Sequence, residues 1–181
     1  MQQIEQYYAR GTIGELVAKR GTARLLNSLT EITQFIDIHQ GLRTQQATPE
    51  LRRRLAKFAA GTSMLSSEIA STTVARNFGF ELEIAAHAAT AGLQVRLDET
   101  GDIFLLVGSR AVAIECKRLF SRKKVEARIT KGRRQLQRIY DNDQDATGIL
   151  AIGVSKLIND GSKILRGNTQ LDVQKTHRPR T

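Results

Sequence analysis

Residues 101–120 read GDIFLLVGSRAVAIECKRLF and contain two short apolar segments joined by Gly108-Ser109. Glycine at the first of two turn residues is typical of a type II′ turn, so the two segments are predicted to form a β-hairpin. A two-residue turn fixes the pairing outward from residues 107 and 110. In this register Asp102 lies directly opposite Glu115.

The two acids are unfavourable for a sheet on their own, because opposed like charges destabilise it by roughly 0.2–1 kcal/mol. Side chains alternate along a strand, so Lys117 shares the face of Glu115. A divalent cation removes the conflict, since Mg²⁺ binds hard oxygen ligands and often takes one or two carboxylates. The alternative is a surface hairpin with exposed acids, in which Lys117 forms a salt bridge.

The same alternation assigns the other residues of the second strand to two faces. The small side chains of Ala111 and Ala113 share the acidic face and are predicted to leave room above the sheet. The opposite face is predicted to point into the core and carries Val112, Ile114 and Cys116.

The surrounding pattern predicts the order helix, three strands, helix, strand. Apolar residues recur at helical spacing from residue 80 to residue 91, and this helix ends at Gly92. Strands are predicted near 94–98, 102–107 and 110–117, a basic helix over about 122–140, and a buried strand over 148–154 (GILAIGV).

Residues 1–76 show no strand alternation and are predicted to be helical. Thr12 followed by Glu15 is a capping-box pattern. Thr48-Pro49 places a helix cap ahead of a proline at the first helical position, and apolar side chains follow at helical spacing at Leu51, Leu55 and Phe58. The last residues, 169–181, form a short polar tail.

Composition limits the class of protein. The chain has 181 residues, of which 40% are hydrophobic, and this suffices for one ordinary core. Neither a membrane-length apolar run nor a secretory signal pattern is present. The single cysteine, Cys116, excludes an internal disulfide and a multi-cysteine zinc site. These features predict a cytoplasmic protein without a membrane partner.

The charge is strongly positive, with a net of +10. The positive charge is concentrated between residues 118 and 138, a segment that contains nine basic residues and only one acidic residue, Glu126. Like charges at helical spacing repel, so this stretch favours contact with a nucleic acid over a solvated helix face. The basic residues are Arg118, Arg122, Lys123, Lys124, Arg128, Lys131, Arg133, Arg134 and Arg138.

A helical acid followed by Asp102, Glu115 and Lys117 resembles the PD-(D/E)xK nuclease superfamily, which has the restriction-endonuclease-like fold. Glu81 lies 11 residues before Gly92, and Asp102 lies 13 residues before Glu115. This spacing is similar to that of archaeal Holliday-junction resolvases. The resemblance covers about residues 78–155, and the proline that the superfamily has before the aspartate is replaced by Gly101.

The resemblance implies a role for each matching residue. Asp102 and Glu115 would be metal ligands, with the backbone carbonyl of Cys116 as a third. Lys117 would orient or activate the attacking water and stabilise the pentacovalent phosphate, and Glu81 would complete the acidic cluster. The implied metal is Mg²⁺, for which Mn²⁺ substitutes.

Two assignments within this set have competitors. Glu81 and Glu83 flank the apolar stripe of their helix almost equally, so periodicity does not choose between them, and the spacing to Gly92 favours Glu81. Gln135 lies on the basic helix where the superfamily often has a polar residue facing the metal site, and Gln137 is a weaker candidate for the same place.

The sequence therefore predicts an α/β protein with a restriction-endonuclease-like mixed-sheet core of αβββαβ order (77–181) and a helical N-terminal subdomain (1–76). The predicted function is Mg²⁺-dependent hydrolysis of phosphodiester bonds in DNA, and by analogy a role in defence, restriction or DNA processing. Two alternatives stay open: a non-catalytic nucleic-acid-binding protein on the same scaffold, and a subunit of a larger complex. Association as a homodimer or with a partner subunit would complete a sheet edge.

Overall fold

The computed structural model describes residues 21–45, 48–61, 68, 73–97, 101–143 and 145–158. The predicted capping box at Thr12 and Glu15 and the polar tail lie outside these residues. The elements are α1 (Thr22–Leu42), α2 (Pro49–Ala59), α3 (Thr73–Thr90), β1 (Gln94–Arg96), β2 (Ile103–Val107), β3 (Arg110–Arg118), a 3₁₀ turn (Arg122–Lys124), α4 (Val125–Asn142), β4 (Thr147–Gly153) and α5 (Ser155–Ile158). The predicted order of helix, three strands, helix and strand is present from α3 to β4.

The four strands form one mixed sheet in the order β1-β2-β3-β4. β2 and β3 form the predicted hairpin, in which Val107 pairs with Arg110 and Ile103 pairs with Ile114. Gly108 has φ of 62°, and no non-glycine residue of the described chain has a positive φ, which agrees with a type II′ turn. The predicted register is therefore confirmed.

The sequence predicts a buried strand over 148–154, but in the structure this strand is largely exposed. β4 pairs in parallel with β3 alone among the described strands and forms an edge of the sheet. Ile149 is 46% exposed and Ile152 is 37% exposed. A continuous apolar run is typical of a parallel strand that is covered on both faces. The run does not show whether the strand has a neighbour on each side, so the edge position of β4 could not be predicted from it.

One hydrophobic core joins the N-terminal helices to the sheet. Ile38 of α1 and Phe58 of α2 belong to the same buried cluster as Leu82 of α3 and Ile103 and Ile114 of the hairpin. The boundary predicted between residues 76 and 77 falls inside α3. Helices α1 and α2 are thus packed as part of the sheet's own core.

Local signals begin α2 and end α3 as the sequence predicts. The Thr48 side chain accepts a hydrogen bond from the main-chain N–H of Leu51 at 3.2 Å, and Pro49 is the first residue of α2. After α3, Gly92 adopts a φ of 83°, a conformation that favours glycine and ends helices. α3 nevertheless begins at Thr73, seven residues before the predicted start.

Helix α4 packs on the face of β3 that carries Glu115 and Lys117. A Cβ atom at Gly132 would lie 2.5 Å from Leu150 Cδ1 and 3.4 Å from Lys117 Cγ, so glycine allows the helix to approach closely. The Leu136 side chain covers Gly148, which pairs with Ala113. The room predicted above Ala113 is therefore occupied by α4, whereas Ala111 lines a separate cavity with residues of α1, α2 and β1.

Within the described residues, every helix is too short or too polar to cross a membrane.

Candidate active site

The hairpin brings Asp102, Glu115 and Lys117 together. Lys117 Nζ lies 3.8 Å from Asp102 Oδ2 and donates hydrogen bonds to Glu115 Oε1 and to the main-chain carbonyl of Cys116. Asp102 Oδ2 also accepts a hydrogen bond from the main-chain N–H of Cys116 at 2.6 Å. Glu115 is only 1% exposed, and its Oε2 atom is buried without a hydrogen-bond partner among the described residues.

The structure places the two competing helical acids in different surroundings. Glu81 is buried and lines the same cleft as Asp102. Glu83 is partly exposed and accepts a hydrogen bond from Gln34 Nε2 of α1 at 2.9 Å. Of the two acids, Glu81 is therefore the one that joins the cluster.

Arg54 of α2 is a member of this cluster that sequence reasoning missed. The residue is only 3% exposed, and its Nη1 atom lies 2.7 Å from Glu81 Oε2 and 2.6 Å from the main-chain carbonyl oxygen of Asp102. A signal was present, because position 54 falls on the apolar stripe formed by Leu51 and Phe58. An arginine on such a stripe is buried only if it is paired.

The cluster opens into a cleft of about 510 Å³ between α2, α3 and α4. Gln135 of α4 lines this cleft, and its Oε1 atom is buried without a hydrogen-bond partner in the described part of the chain. At Gly101, a Cβ atom would lie 3.0 Å from the Phe104 ring, so glycine allows the close contact between this turn and the ring. The cleft is lined by Arg53, Arg54, Phe78, Glu81, Gly101, Asp102 and Gln135.

Burial controls the protonation of the cluster. Burial is the main cause that raises the pKa of Glu81, the negative charge of Asp102 adds to it, and Arg54 opposes both, with a resulting value of about 8. Burial also raises the pKa of Glu115, and the hydrogen bond from Lys117 partly offsets this increase. Burial thus disfavours the charged forms of Glu81 and Glu115 despite the nearby positive charges of Arg54 and Lys117.

Cys116 behaves as the small core residue that the sequence predicts. Its side chain belongs to the hydrophobic core, on the opposite face of β3 from Glu115 and Lys117. Burial raises the pKa of the Cys116 thiol, so the reactive thiolate is disfavoured.

The basic residues of the helix divide into two groups. Four of them line a groove of about 730 Å³ together with Gln135, which also lines the cleft, so the groove and the cleft share a wall. Those four are Lys123, Lys131, Arg134 and Arg138. The lining of this groove does not include Arg122, Lys124, Arg128 or Arg133.

Arg118 differs from the sequence-based expectation. Its guanidinium forms two hydrogen bonds with the buried Glu68 carboxylate, at 2.7 and 3.1 Å. The side chain is therefore held in a largely buried ion pair, and we exclude it from the surface that would contact phosphate.

The oxygen atoms near Lys117 suit a hard cation. No group of three or more histidine, cysteine, aspartate or glutamate side chains is arranged to hold a metal within the described ranges. Mg²⁺ does not require such a group, because it often binds one or two carboxylates and keeps several waters. Asp102, Glu115 and the Cys116 carbonyl provide that kind of donor set, and the unpartnered Glu115 Oε2 is free to join it.

Comparisons of the chain with protein-family models, with curated proteins and with solved structures give no match. Its function is therefore inferred from the chemistry of the site itself.

Proposed function

We propose that this chain is a Mg²⁺-dependent nuclease with a restriction-endonuclease-like core, and that it hydrolyses phosphodiester bonds of DNA. One observation carries the proposal: Asp102, Glu115 and Lys117 meet on the hairpin, beside a cleft that shares Gln135 with a basic groove. The mixed sheet with helices on both faces is compatible with that fold. The match to the superfamily motif adds the reaction class.

The acidic cluster supports a cation site. Asp102 and Glu115 would hold the metal with the Cys116 carbonyl, and Glu81 would add negative charge from α3. When bound, Mg²⁺ lowers the pKa of a water and neutralises charge that develops on a phosphate. An added positive charge would favour the ionised form of Glu81, whose pKa is raised by burial and by the negative charge of Asp102.

Lys117 is the chain's own source of positive charge toward the phosphate. Its stem is packed under Gly132 of α4, and its ammonium is held by Glu115 and the Cys116 carbonyl. A cation fixed in a buried position stabilises developing negative charge without reorganisation. The Cys116 thiol faces the core and is not placed to act as a nucleophile. We propose that water attacks phosphorus directly, with release of the leaving oxygen.

The basic groove supplies the affinity for the polyanion. Lys123, Lys131, Arg134 and Arg138 project into one groove, and phosphate contacts of this kind position a nucleic acid without reading its sequence. Gln135 lies where the groove meets the cleft. A strand bound in the groove would thereby pass close to Asp102.

The test is a cleavage panel over supercoiled plasmid, linear, branched and single-stranded DNA, and RNA, in Mg²⁺, in Mn²⁺ and in EDTA. We expect cleavage of DNA in either metal and none in EDTA. Salt-sensitive binding without cleavage in any metal would contradict the enzyme and favour the non-catalytic binding protein. If neither binding nor cleavage occurs, the exposed apolar residues on the β4 edge favour a subunit of a complex.

A further inference from the structure

Arg54 ties three separate parts of the chain to one another. Its Nε atom donates to Glu50 Oε1 at 2.6 Å within α2, and its Nη1 atom donates to Glu81 Oε2 at 2.7 Å on α3. The main-chain carbonyls of Asp102 and Gly101 accept from Nη1 at 2.6 Å and from Nη2 at 3.3 Å. One guanidinium therefore fixes the backbone just before β2 relative to both helices.

These contacts act on the Asp102 carboxylate through its own backbone. The Asp102 carbonyl is held by Arg54, and its side chain is held by the Cys116 N–H at 2.6 Å. The residue is thus anchored at both ends, once from α2 and once from β3. Loss of the first anchor would leave the backbone at residues 101 and 102 without its buried donor.

A role of Arg54 in stability alone does not explain why its guanidinium contacts two main-chain carbonyls in addition to two carboxylates. Buried ion pairs are weak evidence for stability, because desolvation of both partners offsets their attraction. Glu50 and Glu81 already provide charge partners, yet Arg54 also uses its planar fork to reach two carbonyl oxygens just before β2. Lysine has a single ammonium and lacks such a fork.

We propose that Arg54 is a positioning residue, which sets the Asp102 carboxylate and Glu81 relative to each other so that α2 forms part of the catalytic core. This inference rests on the proposed function, because it assigns Arg54 to the shell around the metal ligands. Partners of that kind typically contribute 10–100-fold to metal affinity. A displacement of the reacting groups by about 1 Å can reduce the rate about 100-fold.

The single cysteine gives a direct way to observe Asp102 without metal. Protein labelled with ¹⁵N-cysteine has one backbone amide signal from that residue type, and the Cys116 N–H donates to Asp102 Oδ2. We expect Arg54→Met to move this signal strongly in metal-free protein and Arg54→Lys to give an intermediate position. Arg52→Ala is the matched control, because Arg52 is an exposed neighbour on α2 and does not line the cleft.

The same signal, followed during a Mg²⁺ titration, reports metal affinity. We expect Mg²⁺ to move the wild-type signal and the dissociation constant to rise about 10–100-fold in Arg54→Met and less in Arg54→Lys. In cleavage assays, kcat should fall in Arg54→Lys while KM for DNA changes little, because Arg54 does not line the basic groove. Far-UV circular dichroism checks that each variant is folded. If Arg54→Met does not fold, the Mg²⁺ affinity and kcat of Arg54→Lys test the positioning role.

The outcomes separate the two proposals. An unchanged Cys116 signal and unchanged Mg²⁺ affinity in a folded Arg54 variant would overturn the positioning role while leaving the nuclease intact. A wild-type signal that does not respond to Mg²⁺, in protein that cleaves no DNA, would overturn the proposed function and with it the metal-directed role of Arg54.

Discussion

Lys117 Nζ lies 3.8 Å from Asp102 Oδ2, across the two strands of the β2–β3 hairpin. In the metal-free protein the ammonium thus neutralises part of the acidic pair, and it is also hydrogen-bonded to Glu115. This position lets one side chain stabilise the empty cluster and serve as a fixed cation beside a bound phosphate.

We therefore expect Lys117→Met to abolish cleavage, with a loss of at least about 100-fold, because a fixed donor of this kind commonly contributes that much to kcat. Methionine keeps the apolar stem that packs under Gly132. DNA affinity, measured by fluorescence anisotropy in EDTA, should stay within about twofold of wild type, because the affinity comes from α4. Lys124→Met is the charge-matched control, and undiminished cleavage by Lys117→Met would refute this role.

The helical acid is tested by a pair of substitutions two residues apart. Glu81→Gln should reduce cleavage by roughly 100-fold or more, because a bound cation would favour the charged form of the Glu81 carboxylate and glutamine cannot supply that charge. Glu83→Gln should retain activity within about twofold, since Glu83 is bonded to Gln34 instead. Plasmid nicking in Mg²⁺ measures both, and undiminished activity in both variants would show that neither acid takes part.

The hairpin could be predicted from the sequence because its geometry is local. A glycine at the first position of a two-residue turn sets the pairing of every residue that follows, including Ile103 with Ile114. The opposition of Asp102 and Glu115, and the shared face of Lys117, follow from that turn.

The choice between Glu81 and Glu83 could not be made from periodicity, because α3 is packed on more than one side. Its most buried residues include Leu82, Ala85 and Ala86. With about 3.6 residues per turn, they lie on the opposite side of the helix from residues 80, 84 and 88, and Ala86 lies against Gly41 of α1. Contacts with helices far away in sequence therefore decide which acid is buried. The burial of Arg54 beside Glu81 depends on the same long-range packing.

The contribution of the basic groove is tested by the salt dependence of DNA binding. If the four groove residues each neutralise one phosphate, log K should fall with log salt at a slope of about −3 to −4 for duplex DNA. Replacing Lys123, Lys131, Arg134 and Arg138 with serine should largely remove that slope. The matched control, with the same loss of charge, replaces Arg122, Lys124, Arg128 and Arg133, and an equal effect of both sets would move the DNA surface away from the groove.

The lowered pKa of Glu50 predicts that the stability of the fold depends on pH in the acid range. The hydrogen bond from Arg53 is the largest cause that lowers the pKa of Glu50, to about 2, and Arg54 adds to it. A carboxyl whose pKa is lower in the folded state stabilises the fold above its ordinary pKa, and this contribution is lost as the pH falls through the folded value. Wild type should therefore melt above Glu50→Gln at pH 7, and the difference should shrink between about pH 4.5 and pH 2. A difference that stays constant over this range would contradict the assignment.

The conflict between the two opposed acids predicts how metal changes stability. Asp102→Asn removes a negative charge near Glu115 but keeps an oxygen that accepts from the Cys116 N–H. Metal-free Asp102→Asn should therefore be as stable as wild type or more stable, by up to roughly 1 kcal/mol. An exposed salt-bridged hairpin predicts the reverse, a mild loss of stability from the missing attraction to Lys117.

Added Mg²⁺ should reverse the order of the two proteins, because wild type has the carboxylate pair that binds it. At a Mg²⁺ concentration about tenfold above the dissociation constant, binding stabilises the folded state by roughly 1.4 kcal/mol. For a chain of this size that is a rise in Tm of about 3–6 °C. Asp102→Asn should gain little, because it retains only Glu115 on the hairpin. Thermal melts of both proteins in EDTA and in Mg²⁺ measure the four values, and a wild type that melts identically in the two buffers would count strongly against a metal site at Asp102 and Glu115.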